Sequence, residues 1–163
     1  MTRLTSTAVA CLLGLLPLSL AHAALPAGIS GAWYNPEQPG HGLSVEILSD
    51  TSALAYWYVF DPAGNPVHLY LEGQVEGSRI NATAWHSRGM RFGSFDPAEH
   101  QLRRWGTVTI DFADCNAALL GWNADGPAGA GYGSGELPIN RLTSIAALPC
   151  QLAAPGQRVE ARQ

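Results

Sequence analysis

The chain has no lysine: all nine basic residues among its 163 are arginine, set against 13 acids for a formal net charge of −4. A lysine-free, net-acidic chain presents no basic surface to a phosphate backbone, which excludes a general nucleic-acid binder. Charge of either sign is scarce too, at 13%. With 47% apolar residues, the chain is not a disordered, solvating polymer. It lacks a Gly-X-Y period, a heptad run and a polybasic tract, so collagen, coiled coil and polybasic membrane readers are excluded as well. What it has in quantity is punctuation, 18 Gly and 11 Pro, together with five Trp. That composition describes one small, compact, turn-rich domain.

The longest apolar run stands at the N-terminus. Arg3 is followed by the apolar stretch Ala8 to Leu20 and by Ala21-His22-Ala23, with small residues at the positions a signal peptidase recognises. A spanning helix needs roughly 20 apolar residues, and this run is shorter and contains Pro17. Residues 1–23 are therefore expected to be a cleavable signal peptide, and the protein periplasmic or secreted, with no membrane span once it is removed. Cys11 does not mark a lipoprotein, because Leu12 to Leu20 continue the apolar run beyond it. The mature chain then keeps two cysteines, Cys115 and Cys150, expected to form one disulfide in an oxidising compartment. Closing that loop stabilises by roughly 3–4 kcal/mol in the chain-entropy picture.

No part of the mature chain sustains a 3.6-residue period. Short apolar alternations recur instead between Gly, Pro, Asn and Asp clusters, the all-β signal. Strands are predicted near Gly31–Asn35, Gly42–Leu48, Ala53–Phe60, Val67–Val75, Arg79–His86, Trp105–Phe112, Ala117–Trp122 and Gly135–Leu142. About eight strands joined mostly by tight turns make an antiparallel up-and-down meander, closed most economically into a small barrel that hides its edges. A two-sheet sandwich is the alternative. The domain spans 24–150, and the polar segment 151–163 reads as a flexible tail.

One turn is specific enough to set register. Asp61-Pro62-Ala63-Gly64-Asn65 fits a type I turn with a G1 bulge, pairing Tyr58 with His68, Tyr56 with Tyr70 and Trp57 with Leu69. A turn at Asp50-Thr51 would pair Val45 with Tyr56 and Glu46 with Ala55. Paired residues share a face, so one face is expected to carry Leu43, Val45, Ile47, Leu54, Tyr56, Tyr58, His68, Tyr70 and Glu72. The other carries Ser44, Glu46, Leu48, Ala53, Ala55, Trp57, Val59, Val67, Leu69 and Leu71. If the Trp57 face is interior, Glu46 is a recognition carboxylate among hydrophobes. If the tyrosine face is interior, Tyr56, Tyr58, His68, Tyr70 and Glu72 line a small-ligand site.

Gly31-Ala32-Trp33-Tyr34-Asn35-Pro36, Gly40-His41-Gly42, Tyr56-Trp57-Tyr58 and Asp61-Pro62-Ala63-Gly64-Asn65-Pro66 occur in order. Phe92-Gly93-Ser94-Phe95-Asp96-Pro97, Trp105-Gly106, Phe112-x-x-Cys115, Arg141-Leu142 and Leu148-Pro149-Cys150 follow. As a set these resemble a family of exported proteobacterial domains of undefined function, over nearly the whole mature chain. The resemblance implies a single or repeated all-β module to which both cysteines belong, and it supplies no catalytic residues. His68 stands where such domains often carry Trp. The first strand alone, Gly31 to Asn35, is also similar to avidin-type barrels, a five-residue likeness that carries no ligand.

Chemistry is harder to place. His41, His68, His86 and His100 lack metal-ligand spacing, and no G-x-S-x-G or H-E-x-x-H occurs, so no metal, cofactor or catalytic group is expected. Ser87 next to His86 points to the opposite face of a strand. Glu46 and Glu72 fall on opposite faces in the register above, which separates them as a dyad for glycoside chemistry. Gly126 to Gly135 lacks the Gly-Lys-Ser/Thr ending of a phosphate loop and reads as a mobile hairpin loop. Arg88, Arg91, Arg103 and Arg104 place half of the mature chain's arginines in the segment Gly89 to Trp105 and its edge, the longest stretch without strand alternation. Guanidinium forks there suit an anion or a partner. The expected function is an exported, non-enzymatic module binding a protein or a small ligand through Glu46, Trp57, Tyr58, His68, Tyr70, Glu72 and those arginines. The alternatives are a periplasmic hydrolase inhibitor and an envelope-polymer hydrolase using a Glu acid, with Trp33, Trp57 and Trp85 as sugar platforms.

Overall fold

The computed structural model describes residues 25–152. The expected signal peptide, 1–23, and all but the first two residues of the expected tail lie outside them. Within them the chain is a closed barrel of eight antiparallel strands in simple sequence order. These are β1 Gly31–Tyr34, β2 Gly42–Ser49, β3 Ser52–Phe60, β4 Pro66–Glu76, β5 Arg79–Arg88, β6 Gln101–Phe112, β7 Ala117–Asn123 and β8 Ser134–Arg141. The meander and its closure are as the spacing of turn residues predicts, and the sandwich is excluded. Eight strands enclose an interior just wide enough for side chains to fill.

The Trp57 face is the interior. Val45, Ala53, Ala55, Trp57, Leu69, Leu71, Ile80, Ala84, Val108, Ile110, Leu120 and Ile139 are buried there. Alternate residues on the same strands face out, the period-2 consequence of the pleat. The β3–β4 register is the one the turn dictates: Tyr58 opposes His68, Tyr56 opposes Tyr70 and Trp57 opposes Leu69. Gly64 supplies the positive φ of 85° that the turn needs.

The β2–β3 register differs from expectation by one residue. Val45 opposes Ala55 and Glu46 opposes Leu54, because the ladder is interrupted between Ile47 and Ser49 and leaves Leu48 bulged out, exposed and unpaired. A one-residue slip moves every side chain of β2 to the other face. Leu43, Val45 and Ile47 therefore join the Trp57 interior, while Glu46 is exposed on the outer face and is not a carboxylate among hydrophobes.

The two ends of the barrel are built differently. At one end the connections are tight: 50–51, 77–78 and 113–116. This end is filled by the 3-10 turn Ala27–Ile29, whose Ile29 is fully buried together with Leu25. Arg141 fixes it there, donating to the Gly28 carbonyl while lying 5.3 Å over the Trp33 ring. The Cys115–Cys150 disulfide ties the C-terminal segment across the same end, as expected of the two mature cysteines. At the opposite end the connections are 35–41, 61–65, 89–100 and 124–133, all longer. Floor and mouth thus differ in loop length as well as in the plug and the disulfide that close the floor.

Candidate functional site

The mouth holds a cavity of about 290 Å³ lined by Asp61, Pro62, Val67, His86, Arg88, Arg103, Pro127, Ala128, Ala130 and Tyr132. Strand register explains why these side chains meet. Leu69 is an interior residue and opposes His86, which in turn opposes Arg103, so His86 and Arg103 point along the barrel's inner wall at its open end. Arg88 follows two residues after His86 on the same face. A bulge between Ala84 and Trp85 leaves Trp105 without a cross-strand partner. That irregularity lets Trp105 turn fully inward beneath the cavity.

Below the lining lies an aromatic layer. Trp57 and Trp105 meet edge to face at 5.8 Å, Trp57 lies 5.7 Å from Trp122, and Trp105 meets Tyr132 at 5.2 Å. Such pairs fix ring orientation beyond what area burial does. The indole N–H groups of Trp57 and Trp105 are buried without a protein acceptor. Trp57 is thus a floor to the site and not part of an aromatic binding face.

The glycine-rich connection is a wall rather than the mobile loop expected. Gly126 N donates to Trp105 O at 2.9 Å and Ala128 N to Arg104 O at 3.0 Å, so 126–128 lie against β6. Tyr132 N donates to Gly129 O at 3.1 Å. A Cβ on Gly126 would run into the Arg104 carbonyl and one on Gly129 into that of Trp105, so only glycine permits this approach.

Electrostatics at the mouth follow from who is already paired. Asp61 accepts from Ala63 N at 2.9 Å, from Asn65 N at 2.8 Å and from the Asn65 amide at 3.0 and 3.2 Å, all within its own turn. The Asn65 bonds hold its carboxyl below the usual carboxylate range. Burial, then Arg88 and His68, lower the His86 imidazole, with Asp61 opposing. Burial and the nearby Asp61 charge raise the Tyr132 phenol. Near neutral pH the mouth therefore presents two guanidinium groups, one carboxylate bonded within its own turn, a neutral imidazole and a neutral phenol.

The remaining candidates scatter. Arg104 faces outward in a 2.8 Å ion pair with Asp125, and Arg91 sits on the 89–100 connection, 3.9 Å from Glu99. Arg103 and Arg104 both belong to β6, which begins at Gln101, so the irregular segment is shorter than expected. Tyr58, His68, Tyr70 and Glu72 lie on the outer face, away from the cavity. Tyr70 packs 5.7 Å from Tyr56, and burial together with Glu72 raises its phenol. Trp85, the outward-facing tryptophan of β5, donates to Glu72 at 3.2 Å. With the corrected register Glu46 and Glu72 share that outer face, on either side of Leu54. The width of β3 separates them and both are exposed.

His86 and Tyr132 are site residues that motif reasoning missed. The signal for His86 was present: it alternates in phase with Ala82 and Ala84, the small interior residues of β5. Also unforeseen are Phe92 and Phe95, both strongly exposed around the turn closed by Ser94 N to Arg91 O at 3.1 Å. The neck of that connection is fastened by Ser87 Oγ and His100 Nε2 at 2.9 Å. No protein-family model, curated protein or solved structure matches the chain.

Proposed function

We propose that this chain is an exported, non-enzymatic binding module whose small-molecule ligand occupies the barrel mouth. The observation that carries the proposal is the cavity itself. It lies at the end where every long connection converges, opposite a floor closed by Ile29, Leu25 and the disulfide. Small-ligand sites favour the mouths of β-barrels, where a rigid wall presents a few converging polar groups above an apolar lining. Export rests on residues 1–23, and the likeness to exported all-β modules agrees with it.

Trp105 and Tyr132 provide the measurement. A ligand seated over them changes tryptophan fluorescence, so titration of small metabolites and envelope sugars should give saturable changes, which Ala128→Trp abolishes by filling the cavity. Saturable binding that survives Ala128→Trp, with responses confined to the outer Tyr58–Tyr70 face, would place the site elsewhere.

A second reading, hydrolase inhibition, is favoured by Phe92, which stands clear of the domain with Phe95 beside it. Large apolar side chains on a fastened hairpin suit insertion into an enzyme cleft. Inhibition of a panel of envelope hydrolases that is lost in Phe92→Ala supports this reading; no inhibition by the intact protein removes it.

A further inference from the structure

We infer that the ligand of the barrel mouth is a small organic oxyanion, a carboxylate or a phosphate, held by the guanidinium groups of Arg88 and Arg103. Its body lies against Pro62, Pro127 and Ala128. This rests on the mouth being the ligand site and adds the ligand's chemistry.

Two arginines at the mouth carry charge that no ion pair within the described residues compensates. Among the described residues the salt bridges are Arg79–Asp111, Arg91–Glu99 and Arg104–Asp125. Arg141 is spent on the Gly28 carbonyl and the Trp33 ring at the floor. Among the described residues neither Arg88 nor Arg103 has a carboxylate partner, and both line the cavity of about 290 Å³ at the mouth. Arg103 Nη2 donates to Gln101 Oε1 at 2.7 Å, a neutral acceptor that leaves its charge uncompensated. Asp61 is the carboxylate of the lining, and its oxygens are already engaged by Ala63 and Asn65. Two guanidinium groups thus converge on a cavity with a single carboxylate, Asp61, whose oxygens face its own turn, so the lining keeps a formal excess of one positive charge.

Shape narrows the class. Planar guanidinium forks match the paired oxygens of carboxylate and phosphate better than a spherical ion. The cavity, about 290 Å³, corresponds to roughly ten water volumes of about 30 Å³ each, enough for an anionic head and a body the size of one ring. Pro62, Val67, Pro127, Ala128 and Ala130 give that body an apolar lining. His86 and Tyr132 stand ready to donate one hydrogen bond each.

Benzoate, phenyl phosphate and benzyl alcohol share a ring and differ in head group, so they separate charge from shape. With the intact, oxidised protein, calorimetry and the NMR signals of His86 and Tyr132 should show at least one of the two anions bound. It should bind roughly tenfold or more tighter than benzyl alcohol, with affinity falling as salt is added. Whichever anion binds better identifies the head group. In Arg88→Gln/Arg103→Gln the preference should vanish while the circular dichroism spectrum stays the same; Ala128→Trp, which keeps both arginines, should lose all three probes. Benzyl alcohol binding as tightly as the anions, or a preference that survives loss of both arginines, overturns the oxyanion inference and leaves the mouth as the ligand site. Silence of both anions at millimolar concentration overturns it as well. Binding of the probes with His86 and Tyr132 unmoved overturns the mouth itself.

Discussion

Around His86 stand Arg88 on its own strand, Arg103 on β6, His68 on β4, Asp61 in the β3–β4 turn and Tyr132 in the glycine-rich connection. Burial is the largest influence and lowers the imidazole; Arg88 and His68 act in the same direction, and only Asp61 opposes. His41, fixed to Gln38 at 3.1 Å, is lowered by burial too. Below the ordinary value of 6.5 the unfolded chain takes up protons that these two folded histidines refuse. Stability from this source is therefore complete above that value and lost as pH falls through and below it. Urea midpoints should be level from about pH 8 to about pH 7 and decline towards about pH 5.5. The double variant His41→Asn/His86→Asn should lose most of that slope, and a midpoint that rises on acidification would contradict the account.

At the scale of strands, the weakest ladder is the one that closes the barrel. β1 and β8 share two register pairs, Trp33 with Arg141 and Tyr34 with Asn140, against ten between β5 and β6. Side chains and end residues extend the seam. Ala32 O accepts from Leu142 N at 2.8 Å, Ala32 N donates to Thr143 Oγ1 at 2.9 Å, and buried Asn35 donates to Pro138 O at 2.9 Å. Asn35 also accepts from Glu37 N at 2.7 Å, so Asn35→Ala removes two bonds from a buried position. A loss of about 1–3 kcal/mol is expected by urea denaturation. Hydrogen exchange should lose protection along β1 and β8 first; protection lost evenly around the barrel would argue against a seam. This junction was illegible in the sequence, because Asn35 and Pro138 are 103 residues apart and no local pattern joins them. The β3–β4 register was legible because Asp61, Pro62 and Gly64 encode a turn with one geometry. The β2–β3 register was not, since nothing in Ile47-Leu48-Ser49 announces that Leu48 bulges, and that single residue decides on which face Glu46 falls.

For the molecule as a whole, the candidate site was half legible for a related reason. The arginines of the β5–β6 region stood out as a group, but which of them meet depends on barrel closure and on the extra residue at Trp105. Strand phase sends Arg88 and Arg103 to the exposed rim of the mouth and Arg104 to the outer face. The same closure separates stability from recognition. The disulfide, Ile29 and Arg141 secure the floor, while the groups proposed to bind ligand stand at the far end on long, well-paired strands. Cys115→Ser/Cys150→Ser should therefore cost about 2–4 kcal/mol of stability, in line with the lost constraint on the unfolded chain. Well below its melting temperature, the variant should bind the preferred anion with unchanged affinity, because the bridge and the cavity lining stand at opposite ends of the barrel. Calorimetry at several temperatures checks both halves. Affinity that falls in proportion to stability would mean that floor and mouth act as one cooperative unit, and that the barrel wall does not insulate the site from its base.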